Sequence, residues 1–341
     1  MNNRLKNALY SLALLLLVFA VWKYRQSHSV NEIKIGGETM GTTYHITYYD
    51  KGARNFKAQV DSLLLAFNQS LSTYIKSSEV SGFNSGKAFV FHLPYFLPVL
   101  EKSQEVTSLS NGAFDPTVMP LVNAWGFGPG KKLMPDSARI DSIMGFVGFE
   151  KIHFNSDSVW KEDARVQLDF SAIAKGYGVD VVAGYLKSMG VADWFVEIGG
   201  EVSAFGKNQK LNKPWEAGIL YPASTYASQS YKAYVQLENK AMATSGNYFN
   251  FYEEDGKKFS HTIDPVTGYT IRHELLSASV FAKDCMTADA WATAFMVMGR
   301  KRAIRKLEQI RELDAFLIYS TENGIETFAT NGIKPMVSIN P

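Results

Sequence analysis

Cysteine is all but missing. The single residue, Cys285, excludes an intrachain disulfide and an all-cysteine metal cluster. No base or thiol motif accompanies it, so its ordinary reading is a small core residue in an apolar helical stretch. An excess of one charge is missing too. With 35 basic and 33 acidic residues the formal charge is +2, which argues against a partner held by many phosphate contacts along nucleic acid. It leaves room for one anionic small ligand. Internal repeats and low-complexity tracts are absent. So are the usual nucleotide fingerprints, because no G-x-G-x-x-G follows a first strand and no P-loop occurs.

What remains is ordinary globular composition. Apolar residues make up 46% of the 341 and aromatics 13%, enough for a substantial core and without the signature of extended disorder. The N-terminus differs from the rest. Arg4 and Lys6 precede an apolar run from Ala8 to Trp22, and Lys23 and Arg25 follow. The run is shorter than the ~20 residues that span a bilayer comfortably. With Leu5 and Tyr24 as flanks it reads as an uncleaved signal anchor, since no small-x-small cleavage site follows it. Two positive charges on each side give no orientation. Residues 1–31 are therefore expected to be anchor and polar linker, the linker over 26–31, and residues 32–341 one folded domain.

Along that domain, alternation at Tyr44–Tyr48 predicts an early strand. Val60, Leu63, Leu64, Phe67 and Leu71 lie at helical spacing in an amphipathic helix over 56–71. A second helix is expected over 96–109, closed by Asn111-Gly112. Pro129, Gly130 and Pro135 mark a loop over 126–137. A strand is expected at Val166–Phe170 and a helix from Tyr177 to Met189. Strands alternate with turns from Trp194 to Phe251. A strand at Leu276–Ala282 precedes helices at Thr287–Met298 and Arg302–Ile310, and Phe316–Tyr319 with Ile325–Thr330 make a closing hairpin. Helices and strands mix without regular βαβ alternation, which predicts the α+β class.

Four segments can carry chemistry. In Asp169-Phe170-Ser171-Ala172-Ile173-Ala174-Lys175-Gly176-Tyr177-Gly178 a strand turns into a helix through small residues. It reads equally as a pyrophosphate site, with free helix amides and the Lys175 charge, or as a tight turn with an exposed lysine. Asp289 and Thr293 are four apart and share a helix face. Together they offer hard oxygens suited to Mg²⁺ or Ca²⁺ rather than zinc. The alternative is a helix-terminal acid beside a threonine bonded back to a carbonyl. His261, before the turn-forming Asp264-Pro265-Val266-Thr267-Gly268, suits a general base, although a lone histidine is commonly structural. Gly112-Ala113-Phe114-Asp115-Pro116-Thr117 places an acid and an aromatic beside small residues. Two weaker signals are Gly199-Gly200, a close backbone approach or a bulge, and the expected polar turn Thr244–Tyr248.

In this order the motifs Glu38-Thr39-Met40-Gly41-Thr42, Leu71-Ser72-Thr73-Tyr74, Ala113–Pro116, Asp169–Gly176, Thr244-Ser245-Gly246, His261–Gly268 and Thr287-Ala288-Asp289-Ala290 resemble the FAD:protein FMN transferase family over residues 36–330. The resemblance implies mixed sheets flanked by helices, with FAD in a central cleft. It implies that Met40, Tyr74, Ala113, Phe114, Asp115, Asp169, Lys175 and Ile263 line the FAD site, and that Asp289, Thr293 and the Ala172 carbonyl hold Mg²⁺ or Ca²⁺. The implied reaction moves FMN from FAD to a threonine or serine hydroxyl of an acceptor protein and releases AMP, with His261 as base and Asp289 or Asp264 as lesser contributors. The implied acceptor is a subunit of a membrane redox pump, and the catalytic domain would stand on the extracytoplasmic side of the cell membrane, held by the N-terminal helix. Three departures stand out. Glu197 replaces a frequent aspartate before the double glycine, Thr262 replaces a frequent isoleucine, and the lipid-bearing cysteine of many members is missing. Two rival readings remain: an FAD pyrophosphatase with water as nucleophile, and a membrane-tethered flavin carrier without catalysis.

Overall fold

A computed structural model describes residues 3–28, 30–128, 135–222, 230–247, 251–254 and 257–340. Its centre is one eight-stranded sheet: β1 (Asn31–Thr39), β2 (Thr42–Asp50), β3 (Trp194–Ile198), β4 (Glu201–Phe205), β5 (Lys240–Gly246), β6 (Leu275–Ala282), β7 (Asp314–Thr321) and β8 (Gly324–Ala329). The strands lie side by side in chain order, and every neighbouring pair is antiparallel. Met40 and Gly41 both take positive φ, 51° and 71°, to close the two-residue β1–β2 turn, as the right-handed strand twist demands. The β3–β4 hairpin turns at Gly199-Gly200, with φ of 60° and 103°. That segment is a turn and not a bulge.

The sheet is buried on both faces because its side chains alternate between two cores. Ala241, Ala243, Val280, Ala282, Ala315 and Leu317 face the helices. Met242, Phe281, Phe316 and Ile318 face a three-stranded sheet of Trp215–Leu220, Tyr231–Leu237 and Val337–Ile339. On the helical side lie α2 (Lys57–Leu71), α3 (Phe96–Leu109), α4 (Ala174–Ser188) and α5 (Cys285–Leu307), with α4 and α5 packed on each other. The class is α+β, and layers of helix, sheet and sheet put the α4 and α5 termini beside the β3–β4 turn.

α1 (Asn3–His28) precedes β1. Leu12, Leu14, Leu15, Leu16 and Leu17 are all exposed on it. Among the described residues no helix is long and apolar enough to cross a membrane. The first half of the segment expected to be linker, residues 26–28, is helical, because α1 runs on to His28.

Several boundaries differ from the sequence expectation. Val166–Phe170 belongs to no sheet. The Asn84 carboxamide takes the place of a neighbouring strand there, accepting from Leu168 N at 2.7 Å and donating to Leu168 O at 2.8 Å. Asp169 N donates to Pro116 O at 2.7 Å. α4 begins three residues early, at Ala174, and α5 begins at Cys285. The two helices expected over 287–310 are one element broken at Gly299, whose φ of 72° and ψ of 166° are not helical. Thr244–Gly246 is the end of β5 rather than a turn, with Thr244 Oγ1 and Ser279 Oγ 2.8 Å apart. Pro129, Gly130 and Tyr248 lie outside the described residues. Cys285 is buried, as a core residue should be.

Candidate active site

α4 and α5 meet through glycine. A Cβ at Gly176 would lie 2.3 Å from Cys285 O and 2.7 Å from Asp289 Cβ, so only glycine lets the helices come this close. Gly176 N, a first-turn amide of α4 with no intrahelical partner, donates to Asp289 Oδ2 at 2.9 Å. The Ala172 carbonyl, before the helix, has no backbone partner among the described bonds. Both glycines serve protein packing rather than ligand approach, since a Cβ at Gly178 would meet Met40 Cε at 2.5 Å. The expected cradle of free α4 amides is also reduced. Ala174 N is taken by Phe170 O and Gly176 N by Asp289.

α5 is held at its N-terminus by two acids. Asp284 caps it, accepting from Thr287 N at 2.8 Å. Asp180 of α4 accepts from Cys285 N and Met286 N, each at 2.8 Å. Burial pushes the Asp180 carboxyl up to about 7, against those two donated bonds.

Lys175 points from α4 to Glu201 at the start of β4 and forms an ion pair with it. Glu201 is 2% exposed and Asp289 5%. Burial drags the Lys175 ammonium down, but Glu201 and then Asp289 outweigh it and hold Lys175 charged. Burial pushes both carboxyls up, opposed in each case by Lys175. Two buried carboxylates against one ammonium leave a formal excess of one negative charge in the wall, which a cation would relieve.

Asp115 is fully engaged. Oδ1 accepts from Thr117 N at 2.8 Å and Thr117 Oγ1 at 2.7 Å, and Oδ2 accepts from Phe149 N at 3.0 Å. Burial pushes its carboxyl up despite these bonds. Asp169 accepts from Ser171 N at 2.9 Å, and burial pushes it up as well. His261 stands edge-on to Phe127, with ring centroids 6.4 Å apart. The turn behind it is tied down. Trp125 Nε1 donates to Gly268 O at 2.8 Å, Gly268 N donates to Asp264 O at 2.8 Å, and Asp264 Oδ1 accepts from Val266 N at 2.9 Å. Asp264 therefore builds the turn and is not on the wall.

One cleft of about 1360 Å³ joins Lys175, Glu201, Asp289, Asp115, Asp169 and His261. Its walls include Met40, Tyr74, Ala113, Phe114, Asp115, Asp169, Ala172, Lys175, His261, Ile263, Asp289 and Thr293, the twelve positions singled out from the sequence. Tyr74 stands on the rim, 71% exposed. The volume exceeds the roughly 300–1,000 Å³ typical of small-ligand pockets and suits a dinucleotide. Glu201 also lines the cleft. Sequence reasoning missed it, although the adjacent Gly199-Gly200 marked a close approach. Among the described residues no group of three or more His, Cys, Asp and Glu forms a metal cluster. The oxygen donors at hand are instead the Asp289 carboxylate, the Thr293 hydroxyl and the unpartnered Ala172 carbonyl, a mixed set that suits a hard divalent ion.

Residues 40–317 match the ApbE family. The chain belongs to that family. It is 36% identical to the FAD:protein FMN transferase of Vibrio cholerae over 98% of this chain and 100% of the relative. With the Haemophilus influenzae protein of the same name the identity is 37%, over 89% and 91%. The solved flavin transferase ApbE from Vibrio cholerae superposes with a TM-score of 0.81 at 35% identity, covering 90% of this chain and all of that one. The Pseudomonas stutzeri flavinyl transferase ApbE, in its apo form, gives 0.79 at 32% identity over 90% and 97%. One departure from the ApbE pattern has a structural counterpart. Glu197, where members often carry aspartate, accepts from Gly200 N at 2.6 Å and pairs with His45 Nδ1 at 2.9 Å.

Proposed function

We propose that this chain transfers the FMN half of FAD to a threonine or serine hydroxyl of an acceptor protein and releases AMP. The observation that carries the reading is the convergence of the Gly176–Asp289 contact, the Lys175 ammonium and His261 on a single dinucleotide-sized cleft. The names of the close relatives support it. The acceptor oxygen bonds to the phosphorus on the FMN side, the bond from that phosphorus to the bridging oxygen breaks, and AMP departs with the bridging oxygen. The hydroxyl proton goes to an imidazole nitrogen of His261. Lys175 offsets the negative charge of the diphosphate, while Phe114, Ala113 and Ile263 supply buried apolar wall. Asp289, Thr293 and the Ala172 carbonyl would hold Mg²⁺ or Ca²⁺. When bound, such an ion supplies Lewis-acid stabilisation of charge on the phosphoryl oxygens.

We propose further that α1, whose apolar side chains are exposed, attaches the chain to the cell membrane with the domain on the extracytoplasmic side. The acceptor is then a membrane redox-pump subunit. Incubation of the protein with Mg²⁺, FAD and a candidate acceptor tests the activity by mass spectrometry. An acceptor mass gain equal to FMN, with AMP released, is the expected result. Free FMN plus AMP with an unmodified acceptor would establish hydrolysis instead, and intact FAD would mean a carrier. Fractionation of cells expressing the chain with and without residues 1–31 tests the attachment. Recovery of the full chain in the soluble fraction would defeat it.

A further inference from the structure

Lys175 has two buried carboxylates to choose between. Both act on its charge, yet its hydrogen bond and ion pair go to Glu201 Oε1 alone among the described contacts. Asp289 takes its only described bond from the neighbouring amide, Gly176 N, through Oδ2. The other Asp289 oxygen therefore stays open toward the cleft. Lys175 and Gly176 are consecutive, so the ammonium is tethered beside Asp289 and would reach it if released. Two features keep it away. Glu201 is nearly inaccessible, and its Oε2 has no hydrogen-bond partner among the described residues, so the ammonium is the main compensation of that carboxylate. The second feature is Gly199, against whose bare backbone, at φ of 60°, the Lys175 stem lies. A Cβ there would lie 3.4 Å from Lys175 Cδ and 2.7 Å from Thr42 Cγ2.

We propose that Glu201 is a positioning residue for cation binding: by holding the Lys175 ammonium it keeps Asp289 free for the divalent ion. The proposal rests on the reading of Asp289 as a cation ligand. Without Glu201 the ammonium swings to Asp289, pairs with it and competes with the ion. Glu201 thus acts on the ion through Lys175, without touching it. The β3–β4 turn becomes part of the metal site although it contributes no ligand.

The test is calorimetric titration of Mg²⁺ into the purified full chain without FAD. Four proteins are compared: wild type, Asp289→Asn, Glu201→Gln, and Lys175→Met combined with Glu201→Gln. Glu201→Gln is expected to weaken Mg²⁺ binding by about 10–100-fold, the usual effect of losing a partner behind a ligand. The double variant has no ammonium to compete and is expected to recover the wild-type affinity. A merely structural role for Glu201 predicts no such rescue. Wild-type affinity in Glu201→Gln, or a double variant as weak as Glu201→Gln, overturns the proposal. Wild-type affinity in Asp289→Asn is a different failure, because it removes the ligand assignment on which the proposal stands.

Discussion

Gly176→Ala is the sharpest probe of the helix contact that builds the site. The new methyl would sit 2.3 Å from Cys285 O and 2.7 Å from Asp289 Cβ, where carbon contacts normally settle near 3.5–4.0 Å. The helices must part by about 1 Å. Neither neighbour yields easily. One is a backbone carbonyl whose own residue is pinned by Asp180 through a 2.8 Å bond, and the other is a Cβ on a buried helix. Overpacking of this kind costs about 1–3 kcal/mol. The separation also stretches the bond from Gly176 N to the Asp289 carboxylate, a charge-assisted type contributing about 1.5–3 kcal/mol. Against both stands the helix preference of alanine over glycine, about 1 kcal/mol. A net loss of about 2–4 kcal/mol is expected by urea denaturation. Gly178→Ala is the control. Its Cβ would meet only the flexible tip of Met40, at 2.5 Å from Cε, so a change within about 1 kcal/mol is expected. Equal or greater stability in Gly176→Ala, as helix propensity alone predicts, would refute the packing account.

Three further outcomes follow from the site. His261→Ala should retain FAD binding, read by flavin fluorescence, while acceptor flavinylation falls by about 10²–10⁴-fold; a normal rate would remove His261 as the base. Asp289→Ala should lose Mg²⁺ dependence, and turnover that EDTA still suppresses would count against it as a ligand. Asp180 should make stability depend on pH. Its folded pKa of about 7 lies above the ordinary carboxylate range, so the native state holds a proton that the unfolded chain has released. The contribution is complete below about pH 4 and is lost as pH rises through about 7. Thermal melts of wild type against Asp180→Asn should show the wild-type advantage shrinking across that window, and a constant gap would contradict the burial effect.

The parts of this molecule legible in sequence are those written in short spans. Alternation at Tyr44, Ile46 and Tyr48 gave β2, and heptad-like spacing from Val60 to Leu71 gave α2. Asp289 and Thr293 declared their shared face because four residues make about one helical turn. What stayed hidden needs partners far apart in the chain. Val166–Phe170 has strand composition, but its hydrogen bonds go to a side chain 84 positions away. Asp180 looks like any polar residue on an amphipathic helix until it meets the start of α5, 105 positions on. Glu201 opens a strand, where an acid normally marks the end of a turn facing water, so no local pattern predicts its burial. The glycines of α4 make room for protein, Gly176 for the neighbouring helix and Gly178 for Met40.

The contact between Gly176 and Asp289 spans 113 positions, and the strands between them lie in chain order across the sheet. Closing loops of that length is slow compared with forming local turns. Under the proposed reading, a chain in which these two segments have not met lacks the arrangement that would hold a divalent ion. Cation binding then reports that this long-range contact has formed, and the ion titration described above can serve as a folding assay in its own right.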